Sequence, residues 1–323
     1  MMPIDQNMVL THTERVQNSI AEDASAVSAI AASWRRSMLH YGLSPDQAKS
    51  ENQLSAREFR IIRERMDLLL HVSRPILEQL FRTVGRSGCC VILSDVQGVV
   101  LDRLSNVGDD LNFDGWNLRS GSVWSEEQQG TNGIGTCVNE ERTVLIHKDQ
   151  HFSSHNIGMT CMGSPIFDIN GKLMAVLDVS SARDDFTFEL AQLITSHVAE
   201  TAYRIETEYF RSSFTDATVI VADGFSPIGT PLLASNRDEF IVGANRAARR
   251  MLNLQDETFS SPIFINDLFT NGGARSGLDA AEKSEIHKAI ARSNGNMSAA
   301  AKSLNVSRAT FYRLMKKHNI SRQ

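Results

Sequence analysis

Hydrophobic and polar positions change period along the chain, and each change predicts a different kind of element. Residues 1–22 are polar and predict loose chain. From about Ala24 an alanine-rich run continues through Trp34-Arg35-Arg36 and stops at Gly42, a helix closed by a residue free to turn left-handed. Ser44-Pro45-Asp46 opens another short segment. Between Arg57 and Val84 apolar side chains recur every three or four positions, at Phe59, Ile62, Met66, Leu69, Ile76 and Leu80, with Ser73 interrupting the stripe. That spacing predicts an amphipathic helix, packed on its own domain or against a second copy. Pro75 should kink or restart it near Ser73.

Over residues 88–180 the period shortens to that of strands. Residues 89–93 and 99–101 flank the turn Asp95-Val96-Gln97-Gly98, and residues 164–169 and 173–179 flank Asn170-Gly171, a two-residue hairpin signal. A helix with Phe186, Leu190, Leu193, Ile194, Val198 and Ile205 follows and should end near Phe210. Helix, antiparallel strands, helix predict an α+β sensor-type layout. Gly272-Gly273 and Ser276-Gly277 read as a flexible linker.

The last stretch reverts to short helices. A helix from near Leu278 lines Ile286, Ala289 and Ile290 on one side and should end at Asn294-Gly295. Next, Ser298 is placed to cap a helix with the small apolar face Ala299, Ala300, Ala301 and Leu304. Asn305-Val306 makes a turn, and Ser307 caps a further helix whose Phe311, Leu314 and Met315 pack inward. Arg308, Thr310, Tyr312, Arg313, Lys316 and Lys317 are left outward. Charge sharpens this picture. The chain carries −5 overall, but residues 275–323 hold ten Lys/Arg against three Asp/Glu, so +7, leaving −12 for the rest. A basic helix-turn-helix on an acidic body predicts that the tail alone meets double-stranded DNA, its last helix in the major groove.

The remaining chemistry is less pointed. No apolar run reaches membrane-spanning length, and four cysteines in 323 residues make no disulfide framework. A cytoplasmic, nucleoid-associated protein is expected. Ser125–Gly135 (SEEQQGTNGIG) combines carboxylates, glycines and small polar groups, and serves equally as a ligand-covering or a structural loop. His147, His151 and His155 would share one face of a helix and, with Cys161, could hold a metal, but Phe152-Ser153-Ser154 favours a loop and no metal is expected. Cys89 and Cys90 lie in a strand-like run where inert, buried thiols are expected, with Cys137 and Cys161 as further redox candidates.

Several stretches together resemble a known family. VSRPILEQLFRTVGRSGCCVILSDVQGVVLD, GSVWSEEQQGTNGIGTC, HKDQHF and MTCMGSPIFDINGKLMAVLDVSS are similar to the GAF sensor domain of acetoin-catabolism-type regulators, with SWRRSMLHYGLSPD as its lead-in. NRDEFIVGANRAARRMLNL resembles a hairpin and helix from a reduced PAS domain, and NMSAAAKSLNVSRATFYR resembles a Fis-type helix-turn-helix. The resemblance implies a lead-in over 1–56, a GAF domain with an antiparallel sheet flanked by helices over 57–212, a PAS-like segment and linker over 213–274, and an all-α DNA-binding domain over 275–323. It implies an unknown small-molecule effector beside Trp124, Glu126, Thr131, Asn132 and Cys161, and names no cofactor. Carried over position by position, Ser307, Arg308, Thr310, Tyr312 and Arg313 face the groove, while Asn296, Ser298, Lys316 and Lys317 reach phosphates. A homodimer on an inverted repeat is implied, with RNA polymerase as a further partner. One departure stands out. That family's central ATPase, which acts on the sigma-54 polymerase, is missing between sensor and tail, as are its G-x-x-x-x-G-K-[ST] and G-A-F-T-G-A motifs. A non-enzymatic, one-component regulator is therefore expected. The rivals are a GAF-based thiol enzyme reducing methionine sulfoxide and an architectural DNA-binding protein.

Overall fold

The computed structural model describes residues 11–21, 28–47, 52–222, 224, 226–256, 259, 263, 265, 268, 277–293, 296–318 and 320. The chain forms two compact bodies, Met1–Ala234 with Gly243–Leu254, and Ser235–Val242 with Gln255–Gln323.

The first body opens with α1 (His12–Ala21), where the sequence predicted loose chain. Thr11 and Glu14 explain the difference. The Thr11 amide donates to Glu14 Oε2 at 2.7 Å and the Glu14 amide donates to Thr11 Oγ1 at 3.3 Å, a capping box that starts the helix. Val16 is its buried anchor. Next comes α2 (Ala29–Arg35), capped by Ser28, then a π-helical turn over Arg36–His40; Gly42 follows at φ +68°. Ala24, where the sequence began this helix, lies outside the described residues.

The long amphipathic stripe becomes α3 (Ala56–Arg65) and α4 (Asp67–Val84), and the break falls at Met66 rather than near Ser73. Pro75 runs inside α4 unbroken. Both Pro75 and His71, whose carbonyl loses its helical donor, are exposed. Water can therefore serve that carbonyl while Ile76, Leu77 and Leu80 hold the helix to the core.

Five strands follow: β1 (Cys89–Asp95), β2 (Val100–Leu104), β3 (Val144–His147), β4 (Thr160–Phe167) and β5 (Leu173–Ser181). They pair in the order β2-β1-β5-β4-β3, and every registered pairing of these five is antiparallel. β3 was not foreseen. Between β4 and β5 the expected two-residue turn is a longer one. Asp168 accepts from the amides of Asn170 and Lys172, and only Gly171 takes positive φ, at +78°.

Alternation along the strands splits the core. On one face Val91, Leu93, Met162, Leu177 and Val179 pack under α4 and the long α8 (Phe188–Ser213), which runs past its expected end. Leu193 of α8 is 72% exposed rather than part of this core. On the other face Cys90, Ile92 and Cys161 meet Phe113, Leu118, Trp124, Ile134 and Met159. Here lie α5 (Asp110–Gly115), α6 (Glu126–Gln129) and α7 (Gly133–Glu140), so Ser125–Gly135 holds two short helical pieces rather than an open loop.

A second sheet, ordered β6-β7-β8, comprises β6 (Thr218–Val221), β7 (Leu232–Ser235) and β8 (Ile241–Ala244), followed by α9 (Arg246–Met251). This is the hairpin and helix expected over 236–254, with the hairpin beginning earlier. In the second body α10 (Gly277–Arg292), α11 (Met297–Ser303) and α12 (Arg308–Lys317) close around Ile286, Ala289, Ala300, Ala301, Phe311 and Met315. Asn294-Gly295 lies outside the described residues.

Candidate nucleic-acid interface and sensor core

The three-helix body owes its shape to caps and small residues. Asn296, not Ser298, caps α11: its side-chain oxygen accepts from the amides of Ser298 and Ala299, both at 3.1 Å. Ser298 Oγ lies inside the first turn, where the cap needs the side chain two residues earlier. Ala300 and Ala301 present no bulk, so α11 sits close on Phe311 and Met315. Asn305 takes φ +52° and turns the chain. Ser307 then caps α12, accepting from the Thr310 amide at 3.1 Å.

With Phe311 and Met315 inward, Arg308, Arg313, Lys316 and Lys317 are left exposed on α12, with Thr310 and Tyr312 partly so. Between α11 and α12, Ser298, Lys302, Asn305, Ser307 and Arg308 line a cleft of about 410 Å³. Lys302 and Asn305 were absent from the predicted contact set, although both lie in the basic stretch that defined it. Lys317 is engaged elsewhere: its Nζ is 2.5 Å from Glu282 Oε2 on α10, an oxygen shared with His318 Nε2 at 2.7 Å. Those bonds hold the Glu282 carboxyl below its ordinary range.

In the sensor, the predicted effector residues have protein partners. Arg36 meets Glu126 through Nε to Oε1 at 2.6 Å and Nη2 to Oε2 at 3.0 Å, and Nη2 also reaches Glu140 at 3.2 Å. Thr131 Oγ1 is 2.7 Å from Ser33 Oγ. Asn132 caps α7, accepting from the amides of Ile134 and Gly135. Trp124 is core, its Nε1 donating to the Asn117 carbonyl at 3.0 Å. Trp34 Nε1 donates to the Gln150 carbonyl at 2.9 Å. Through Ser33 and Arg36 the lead-in is thus bonded to Thr131 and Glu126, two of the residues that the sequence assigned to an effector.

The three histidines do not share a helix. His147 Nδ1 lies 2.9 Å from Thr160 Oγ1, and Trp116 Nε1 donates to the His155 carbonyl. His151 is fully buried. Its Nδ1 is 2.9 Å from the Lys148 carbonyl, which can only accept, so Nδ1 carries the hydrogen and Nε2 accepts from the Cys161 thiol at 3.3 Å. Burial pulls this imidazole down to about 4. Ser180 Oγ is 3.1 Å from Cys161 Sγ and donates to Asp178 Oδ2 at 2.6 Å. Asp178 Oδ1 has no hydrogen-bond partner among the described residues, and burial raises its carboxyl to about 6. It faces the start of α7, where a Cβ on Gly133 would lie 2.3 Å from that oxygen. Asp178 is not among the residues the sequence singled out, yet a single acid within the apolar run LMAVLDVSS is a visible signal.

Burial, reinforced by the Asp178 charge, pushes the Cys161 thiol above its ordinary range; burial raises the other three thiols too. Cys90 and Cys161 both register with Ser180, one from each neighbouring strand. Two strand spacings, about 9–10 Å, separate them, beyond disulfide reach. Among the described residues no group of three His, Cys, Asp or Glu is arranged to hold a metal. No helix among them is long and apolar enough to cross a membrane.

Comparison with known proteins agrees with this division. Residues 69–204 match the GAF domain, and residues 277–318 match the bacterial regulatory protein, Fis family. The acetoin catabolism regulatory protein of Cupriavidus necator is 32% identical over 237 residues, covering 72% of this chain and 35% of that protein. The propane 2-monooxygenase operon transcriptional activator MimR of Mycolicibacterium smegmatis is 30% identical, covering 59% of this chain and 32% of its own length. The chain thus spans about a third of the length of these two relatives. The crystal structure of the E. coli DhaR(N)-DhaL complex superposes with a TM-score of 0.52 at 18% identity, covering 74% of this chain and 80% of that one, a likeness of fold. The chain carries a GAF domain and a Fis-type helix-turn-helix and is homologous to the acetoin-type regulators and the MimR activators.

Proposed function

We propose that this GAF–Fis chain is a one-component transcription regulator that reads a specific DNA sequence with α12 and answers to a small molecule through its GAF domain. The observation that carries the reading is the exposed face of α12, with Arg308, Arg313 and Lys316 uncovered on a helix whose opposite side closes its own core. The protein works without ATP turnover, as a cytoplasmic homodimer on an inverted repeat, and passes its signal to RNA polymerase. It is not an enzyme. Its relatives are named regulators and activators, and its buried thiols lack the depressed, thiolate-favouring setting that thiol catalysis needs.

In this reading Arg308 pairs with guanine acceptors while Lys316 and the α11 start, Asn296 and Ser298, hold phosphates. The test is an operator selected by the full chain from a randomised duplex library, then titrated by fluorescence anisotropy across a salt series. Arg308→Ala should cost about 1–3 kcal/mol and relax one base position per half-site. Lys316→Ala should weaken all sequences alike and flatten the salt slope by about one unit. The opposite pattern would mean that α12 is rotated in the groove. The effector reading is tested by mass spectrometry of small molecules retained by the purified chain, with an effect on DNA affinity of about 1–3 kcal/mol expected from any found.

A further inference from the structure

Arg308 stands where a long cation is hard to keep still. It is the first residue of α12, at the helix end that bears partial positive charge, so the helix dipole pushes its guanidinium outward. The side chain is exposed. Left alone it would sample many rotamers, and a base contact would have to order it at binding. The structure supplies an alternative. Tyr312, one turn on, leans back along the helix as helical side chains do, and the Arg308 guanidinium carbon lies 5.7 Å from its ring centroid. The Tyr312 ring is itself seated, partly buried against the apolar core of the three-helix body. A fixed aromatic face thus attracts a cation that the helix end repels.

We propose that Tyr312 is a positioning residue for base reading: its ring holds Arg308 ready for the base edge, and it governs specificity through Arg308 rather than by its own base contact. This rests on the assignment of Arg308 as a base reader. It differs from the simpler expectation that Tyr312 faces the groove as an independent contact.

The experiment uses the full chain and a library of duplexes with a randomised core, sequencing the bound fraction. Wild type and Tyr312→Phe should enrich the same base at the position read by Arg308. Tyr312→Leu keeps apolar bulk without the ring, and Tyr312→Ala removes both. Each should lose roughly 2- to 5-fold of the preference there, as expected for an exposed cation–π contact, and leave the other positions unchanged. In an Arg308→Ala background the Tyr312 substitutions should change that position no further. NMR of the DNA-free chain supplies an independent readout. Ring-current shifts on the Arg308 side-chain protons should survive in Tyr312→Phe and vanish in Tyr312→Leu. Three outcomes overturn the proposal: equal loss at every position, loss at a position Arg308 does not control, or an undiminished Tyr312 effect without Arg308. Should Arg308→Ala itself move no position, base reading by Arg308 fails first and takes this proposal with it.

Discussion

Asp178, Glu206 and His151 are buried in the sensor with shifts that oppose one another as pH changes. Burial raises Glu206 to about 8, against the Phe167 amide that donates to it at 3.0 Å and the charge of Arg246. A carboxyl that holds its proton longer when folded makes stability fall as pH rises, from the unfolded pKa up to the folded one. Asp178 does this from about 4 to about 6 and Glu206 from about 4.5 to about 8. His151, depressed from 6.5 to about 4, does the reverse, since the unfolded chain takes up a proton there and the fold does not. Below 6.5 His151 therefore offsets Asp178, and between 6.5 and 8 Glu206 stands alone. The fold should lose about 2 kcal/mol across that upper interval at ~1.4 kcal/mol per pKa unit. Urea unfolding followed through Trp34, Trp116 and Trp124 reads the sensor. Glu206→Gln should be level relative to wild type between pH 6.5 and 8; an equal slope in both would reject the assignment. In Asp178→Asn/Glu206→Gln only His151 remains of the three, and stability should fall on acidification below 6.5.

At the scale of elements, legibility followed how local the causes are. The helices of the DNA-binding body were visible because caps, alanines and the stripe of Phe311, Leu314 and Met315 all lie within a few residues of one another. α1 was missed because its composition is polar, although Thr11-x-x-Glu14 is a capping box written in the sequence. Pro75 misled because proline disrupts a helix most where its lost bond is buried, and here it faces water. The candidate effector site was the least legible. Nothing local in Glu126 or Thr131 shows that Arg36 and Ser33, some ninety-odd residues earlier, bond to them. That pairing has a consequence for α2. The Glu126 side chain is fully buried and Arg36 is 27% exposed, so Arg36→Ala strands a buried carboxylate. It should cost about 3 kcal/mol, the lower end of the range for breaking a buried pair. Glu126→Gln in the same chain should restore part of that loss. If Arg36→Ala costs no more than a surface substitution, the turn that follows α2 is not held to the sensor by this pair.

For the whole molecule, the distribution of charge and the size of the reading module set how DNA is engaged. The tail carries +7 on a body of −12, so the body is repelled by the phosphates that the tail attracts. The matched helix-turn-helix, residues 277–318, offers one recognition helix, on which Arg308, Arg313, Lys316 and Lys317 are the cations. A single module buries about 600–1,000 Å² on DNA, below the roughly 1,000–2,500 Å² of most specific interfaces, so a second module adds contact area. The proposed homodimer would answer this by making the second half-site an intramolecular encounter, which multiplies affinity without a new kind of contact. The geometry is then strict. In that proposed dimer, two recognition helices related by a two-fold axis would enter successive major grooves about 10–10.5 base pairs apart on one side of the duplex. Inserting about five base pairs between half-sites of the selected operator turns one of them to the far side. Binding should then fall at least ~10-fold, toward the affinity of a lone half-site. Inserting a full turn returns both half-sites to one face, and affinity should recover in part, limited by the reach between the two tails. Anisotropy on the three duplexes measures this directly, and the same affinity on all three would show that each tail binds alone.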